Sequence, residues 1–448
     1  MREKRQKQLP LMSAPTDHPQ AQELERISQI LDQNPIIYDL VMQDIQKKPV
    51  RSRAGAKGMT AEQVIRTAII KQMFGFSYEE LAFHIIDSKS MRRFCLIGIA
   101  EKGFKKSVLN KHIKAISPRT WEAVNTRMVR WAESEGIEKG RKVRIDCTVM
   151  ESHIHDPSDS SLLFDAVRVL TRLLKRTEQL TGRRFYKHDH TRRAKRRMLE
   201  IHNAKTKKDR VCKYKDLLTV TCQTIRYVQG AVNAIDSGAF DLDMVALSAR
   251  MKRYLDLASR VVDQTQRRVI NGEEVPASEK VVSIFEPHTD IIVKDRRDTF
   301  FGHKVCLTGG ASNLILDCVI TDGNPADTSL TLDMLDRQNT LYGQYPLKVA
   351  LDGGFASKEN LEKAKQRQIK DVCFAKKRGL AVKDMCRSQW VYKQLRKFRA
   401  GIESGISWIK RCFGFARCTW KGLRSFKSYA WATIVTANLL TLARRSPG

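Results

Sequence analysis

Acidic residues are scarce in this chain. Its 448 residues include 49 Asp and Glu against 81 Lys and Arg, a formal net charge of +32. Charge of one sign costs the compact state through self-repulsion, so a polyanionic partner is the economical reading, with nucleic acid first. The shortage is most severe at the carboxyl end. From Met385 onward thirteen Lys or Arg accompany a single carboxylate, Glu403, in the stretch "RKFRAGIESGISWIKR".

Other absences narrow the class. No run approaches 18 apolar residues, so no transmembrane helix is expected. The basic residues are spread over several segments, unlike those of a membrane-surface helix. The opening "MREKRQKQLPLMSAPTDHPQ" lacks the apolar core of a secretion signal and reads as a flexible arm. Ten cysteines form no CxxC pair, and no histidine pattern at zinc-finger spacing accompanies Cys412 and Cys418. Reduced buried thiols in a cytosolic protein explain them better than a metal or disulfide framework. No P-loop is present, so no ATP requirement is expected.

What is present suggests two or three domains, at 42% hydrophobic content. Residues 21–48 read as a helix interrupted near Pro35, followed by the linker "KKPVRSRAGAKG". Helical period runs over 60–134, with Thr60, Ser77 and Ser117-Pro118 as start signals. A cluster of short basic helices suggests a helix-turn-helix DNA-binding module, over an ordinary bundle. "RKVRIDCTVME" from 141 alternates as a half-buried strand. From Ser160 the chain turns helical and basic, and 175–210 holds fourteen Lys/Arg against four acids. That excess favours phosphate contact, with Arg192, Arg193, Arg196 and Arg197 as the candidates. Strands are expected at 280–293, 300–323, 346–352 and 370–377, with a helix over 327–338 capped by Asp327, another capped by Ser357, and mainly helix over 387–443. This order predicts a mixed α/β sheet with helices on both faces.

Three carboxylates carry the chemistry. Asp146 lies within the first strand. Asp352 ends the buried run "VAL" before Gly353-Gly354, at the edge where open α/β sheets place function. Glu403 shares one helix face with Arg399 and Lys410. Three acids from separate elements suit Mg²⁺, and two such ions can serve both oxygens of a phosphodiester displacement. Bland alternatives stand beside each. Asp146 can pair with Arg144 or Lys142, Asp352 can cap a turn, and Glu403 can pair with Arg399. His153, His155 and Asp156 offer a zinc alternative, but HxH alone is weak and a turn after the strand is the preferred reading. Lys304 in "GHK" is placed either near DNA or on a strand edge.

The blocks "VRIDCTVMESHIHDPSDSSLL", "FFGHKVCLTGGASNLILDCVITDGNPADTSL", "VALDGGFAS" and "FRAGIESGISWIKRCFG" resemble the DDE transposases of bacterial insertion sequences, most nearly the ISNCY-type group. "MFGFSYEELAFHIIDSKSMRRFCLIG" resembles their helical amino-terminal domain, and the likeness spans roughly 55 to 443. The resemblance implies an RNase H-like α/β fold, with Asp146, Asp352 and Glu403 as the catalytic and metal-binding triad. It implies two Mg²⁺ ions, with Mn²⁺ as a substitute. Arg399 and Lys410 fit the family signature around the glutamate as DNA contacts, whereas its tyrosine position is Arg396 here. In "YAWATIVTANLLTLARR", which resembles the closing helix, Asn438 and Leu439 read as packing.

The expected organisation follows. An arm and helix occupy 1–54 and a helical DNA-binding domain 55–135. An RNase H-like catalytic domain occupies 136–443, interrupted at about 160–275 by a basic helical insertion, and a tail closes 444–448. The expected activity is metal-dependent cleavage and strand transfer at the element's terminal inverted repeats. A metal-dependent nuclease without strand transfer and a catalytically silent DNA-binding regulator are the alternatives. Expected partners are double-stranded DNA, from the element ends and the target, and further copies of the chain, as a homodimer or higher assembly. A cytoplasmic, nucleoid-associated location is expected, without membrane or ATP.

Overall fold

A computed structural model of the chain describes residues 17–46, 58–98, 100–238, 242–294 and 298–445. The expected arm up to residue 16, the linker from 47 to 57 and the last three residues lie outside them. The chain opens on α1 (Pro19–Asp32), α2 (Ile36–Ile45), α3 (Ala61–Phe74), α4 (Tyr78–Asp87), α5 (Lys89–Phe94), α6 (Lys106–Ile113) and α7 (Pro118–Ser134). Two of these starts are reciprocal caps. Thr60 and Gln63 exchange side-chain bonds to each other's backbone N–H, and Ser77 and Glu80 do the same. Helix α3 is covered nearly all round, and its Arg66 is fully buried. That charge is tolerated because Asp32 pairs with it at 2.7 Å while Ser28, Tyr38 and the Phe94 carbonyl accept from its two terminal nitrogens.

Strand β1 (Lys142–Glu151) is the centre of the sheet. After it come α8 (Asp159–Thr181), α9 (Thr191–Asn203), α10 (Lys207–Asp236) and α11 (Leu242–Thr265), which ends in a π-helical turn, Gln266–Ile270. These helices bury an apolar core of their own, with Leu163, Leu170, Leu217, Val228 and Val261 at its centre. Then follow β2 (Asp290–Lys294), β3 (Asp298–Gly309), β4 (Ile315–Ile320), α12 (Asp327–Tyr342), β5 (Lys348–Leu351), α13 (Lys358–Gln366) and β6 (Asp371–Phe374). A short α14 (Val382–Met385) leads to α15 (Gln389–Cys412) and α16 (Leu423–Arg445).

The sheet is mixed. β1 pairs antiparallel with β3 on one side and parallel with β5 on the other, and β6 extends β5 in parallel. The far edge of β3 is shared, by β2 along 298–302 and by β4 along 305–309. β1 is not half-buried as its alternation suggests. Val143 and Ile145 are buried on one face, while Arg144 and Thr148 are also buried on the other, because α15 lies over that face.

The expected strand over 280–293 is confined to Asp290–Lys294. Pro287 lacks an N–H for a ladder. Upstream, the Gln264 side-chain amide takes the place of a partner strand, accepting from Val281 N–H and donating to its carbonyl. Around Pro287 a partly buried chain of hydrogen bonds runs Glu286–His288–His303–Asp290, at 2.9, 2.8 and 2.9 Å. Its ends accept from the Gly422 and Gly323 N–H groups, so it pins the return from α11 to β3 and to the loop before α16.

Helix α16 is buried on every side and joins the amino-terminal helices to the sheet in one core. Asn438 is more than packing. Its amide donates to the Ile315 carbonyl and Asn125, and its oxygen accepts from Ile315 N–H, so it completes the edge of β4.

Candidate active site

The parallel register of β1 and β5 places Ile145 beside Leu351. The next residue on each strand is an aspartate, so Asp146 and Asp352 emerge side by side from adjacent strands. Asp352 takes an extended conformation just past β5 and opens the 3-10 turn Gly353–Phe355. Helix α15 crosses β1, β5 and β6, and brings Arg399 and Glu403, one turn apart, over the two aspartates. The Arg399 guanidinium lies among all three acids. One terminal nitrogen is 3.5 Å from Asp146 Oδ2 and 3.6 Å from Asp352 Oδ1, and the other is 2.5 Å from Glu403 Oε1.

Burial differs across the site. The side chains of Asp146 and Arg399 are 17% and 15% exposed, while those of Asp352 and Glu403 are 40% and 57% exposed. Burial pushes the Asp146 carboxyl up to about 6, and the neighbouring charges of Asp352 and Glu403 add to the rise. Arg399 and a hydrogen bond from Cys147 N–H oppose it. Among the described residues no three His, Cys, Asp or Glu side chains close into a metal-ligating group. The donor set nevertheless suits a hard divalent cation. It offers carboxylate oxygens from three elements, partly open to solvent, around a position where a positive group is already held.

Local chemistry fixes these positions. Arg144 does not pair with Asp146. It donates to the Phe398 carbonyl at 2.9 Å and to Asn313, and lies over the Phe398 ring. It thereby docks α15 onto β1. A Cβ at Gly401 would stand 2.0 Å from the Arg144 Nη1 atom, so this mid-helix glycine exists for close approach. The sequence carries that signal, because glycine inside a helix is costly unless something needs the space. Gly353 and Gly354 likewise serve contact rather than a left-handed turn. Neither has positive φ, and a Cβ at Gly354 would meet Asp327 Oδ2 at 2.4 Å. Asp327 is not the cap of α12, since Ala326 holds that place. It forms an ion pair with Lys304, which also donates to the Pro325 carbonyl. Lys304 is thus buried beneath the sheet and is neither a DNA contact nor a strand-edge surface group.

The remaining candidates are dispersed. Lys410 lies on α15, two turns beyond Glu403, and is partly buried. The four arginines of α9 divide. Arg193 and Arg197 both grip Asp216 of α10, and Arg197 also binds Glu200 at 2.5 Å. Arg196 is exposed, 3.8 Å from Glu200, and Arg192 is exposed. His153 and His155 follow the end of β1 in an irregular segment, where His155 stands 3.6 Å from Asp165.

Residues 292–439 match the family model described as Transposase DDE domain, which takes in Asp352, Arg399 and Glu403. Residues 14–115 match the model described as Transposase domain (DUF772). No curated protein and no solved structure matches the chain. The matches cover the amino-terminal helices and the carboxyl-terminal part of the sheet with α15, and by them the chain belongs to the DDE transposases of the insertion-sequence type.

Proposed function

We propose that this transposase binds the terminal inverted repeats of its insertion sequence, hydrolyses one phosphodiester at each end to free a 3′-OH, and joins that hydroxyl to target DNA. The observation that carries the reading is the meeting of Asp146, Asp352 and Glu403 around Arg399 from β1, β5 and α15. These acids would hold Mg²⁺, as a pair of ions or with Mn²⁺ in its place, to activate the attacking oxygen and stabilise the leaving one. Asp146 supplies the buried, water-poor side of the site, and Asp352 and Glu403 the side open to substrate. Arg399 and Lys410, on the same helix as Glu403, would meet DNA phosphates.

The strand order, with antiparallel β3 on one side of β1 and parallel β5 and β6 on the other, supports the RNase H-like reading. Helices α8–α11 form the basic insertion after the first strand, and the exposed Arg192 and Arg196 offer backbone contacts there. The helices before β1 would read the element ends, and a homodimer would bring two ends together. A chain so basic, with no membrane-spanning helix among its described residues, fits action at the bacterial nucleoid.

The test is Asp352→Asn. End-containing DNA should still be bound but no longer cut in Mg²⁺. Retained cleavage would remove Asp352 from the mechanism. Wild-type protein given pre-cut ends should join them to target DNA. Cutting without joining would leave a nuclease, and binding without cutting would leave a silent regulator.

A further inference from the structure

Three acids at one place repel one another, and something must hold them together before substrate arrives. An ordinary surface Arg–Glu pair at this helical spacing is weak and mobile. Arg399 is different. Its side chain is 15% exposed, and it reaches past Glu403 to two aspartates on two strands. Its contacts of 3.5 and 3.6 Å to the aspartates come from the same nitrogen. The other nitrogen holds Glu403 at 2.5 Å, so the fork is divided between Glu403 and the two aspartates instead of closing bidentate on one carboxylate. The guanidinium sits between acids, as a shared counter-charge.

We propose that Arg399 is the site's own placeholder for the divalent ion. It bridges the three carboxylates, competes with the ion for them, and is released toward the DNA phosphate only when the ion has taken its place. The inference rests on the three-acid reading of the site. Three carboxylates and one guanidinium leave two negative charges, so the bridged site still attracts a divalent cation. The cation then replaces the guanidinium because its double charge meets the acids better. Arg399 is anchored one turn from Glu403, whose side chain is the most exposed of the four, so the freed guanidinium has an open direction to swing into while its helix stays docked. Ion loading and phosphate binding are thereby coupled, and linkage requires each to favour the other.

A placeholder lowers apparent ion affinity by the fraction of molecules in which it is in place. Binding of Mn²⁺ to the full-length protein, without DNA, can be followed by the electron paramagnetic resonance of free Mn²⁺ and by calorimetry. Arg399→Gln is expected to bind Mn²⁺ about tenfold more tightly than wild type. Arg399→Lys keeps the charge but loses the fork, and should lie between the two; it carries the test if the glutamine variant does not fold. Asp352→Asn is the control and should weaken Mn²⁺ binding. If it does so while neither Arg399 variant binds more tightly than wild type, the placeholder is refuted and the triad stands. If Asp352→Asn leaves Mn²⁺ binding unchanged, the three-acid reading falls and takes the placeholder with it.

Discussion

Replacing Asp146 with asparagine should abolish cleavage and make the protein more stable. Burial and its two acidic neighbours raise the Asp146 carboxyl from the ordinary value of 3.8 to about 6. A rise of that size corresponds to about 3 kcal/mol against the ionised form at neutral pH. Little of it is screened away, because the side chain is 17% exposed. The sign follows from proton counting. Between pH 4 and 6 the unfolded chain has lost this proton and the folded chain still holds it. Stability therefore falls as pH rises through that window, and the whole penalty persists above it. Asp146→Asn removes the charge but keeps an oxygen to accept from Cys147 N–H, the present 2.8 Å bond. In urea titrations with EDTA, followed by tryptophan fluorescence, the variant should exceed wild type by up to about 3 kcal/mol at pH 7.5. The difference should shrink toward zero by about pH 4. Added Mg²⁺ should stabilise wild type more than the variant. A variant no more stable than wild type at pH 7.5, or an advantage that persists unchanged at pH 4, would refute the electrostatic account. Retained cleavage would refute the site.

The arginines of α9 should separate by partner. Arg192→Ala, at an exposed position, should weaken binding to any duplex and lower the salt dependence by about one counterion in a filter-binding titration. Arg197→Ala removes one of the two arginines on Asp216 and the nearest partner of Glu200, and should lower stability and thin the α9–α10 contact, seen as faster amide exchange in α9. Asn438→Ala should cost about 1–3 kcal/mol in denaturant titration, since it leaves the buried Ile315 N–H and the Asn125 side-chain oxygen without the Asn438 amide.

Local signals were legible in the sequence and long-range ones were not. Thr60 with Gln63, Ser77 and Ser357 announce helix starts because a cap bonds only its own first turn. The turn position at Pro35 between α1 and α2 was readable because proline breaks a helix through its own backbone. Asp327 misleads. It sits where a cap is expected, yet its carboxylate is held by Lys304 of β3, 23 positions upstream. Likewise nothing local in "KVVSIFEPHTDIIV" announces that Gln264 will satisfy Val281. The three acids stand out in the sequence by type and by the emptiness around Glu403. Their meeting depends on Ile145 lying beside Leu351, a pairing between residues 206 apart. The role of Arg144 was hidden for another reason. Its neighbour Asp146 is the obvious ion partner, and only the docking of α15 shows that it turns to the Phe398 carbonyl instead.

Helix α16 imposes an order on folding. Arg26 finds the Ala443 carbonyl across 417 positions, Gln72 finds Thr433 across 361, and Asn125 finds Asn438 across 313. A ribosome thus releases the head of the protein long before the helix that covers it, and the head must wait with its apolar faces bare. A message broken upstream of α16 yields chains that proteases can reach, and the helix bearing Glu403 is always made before the molecule can close.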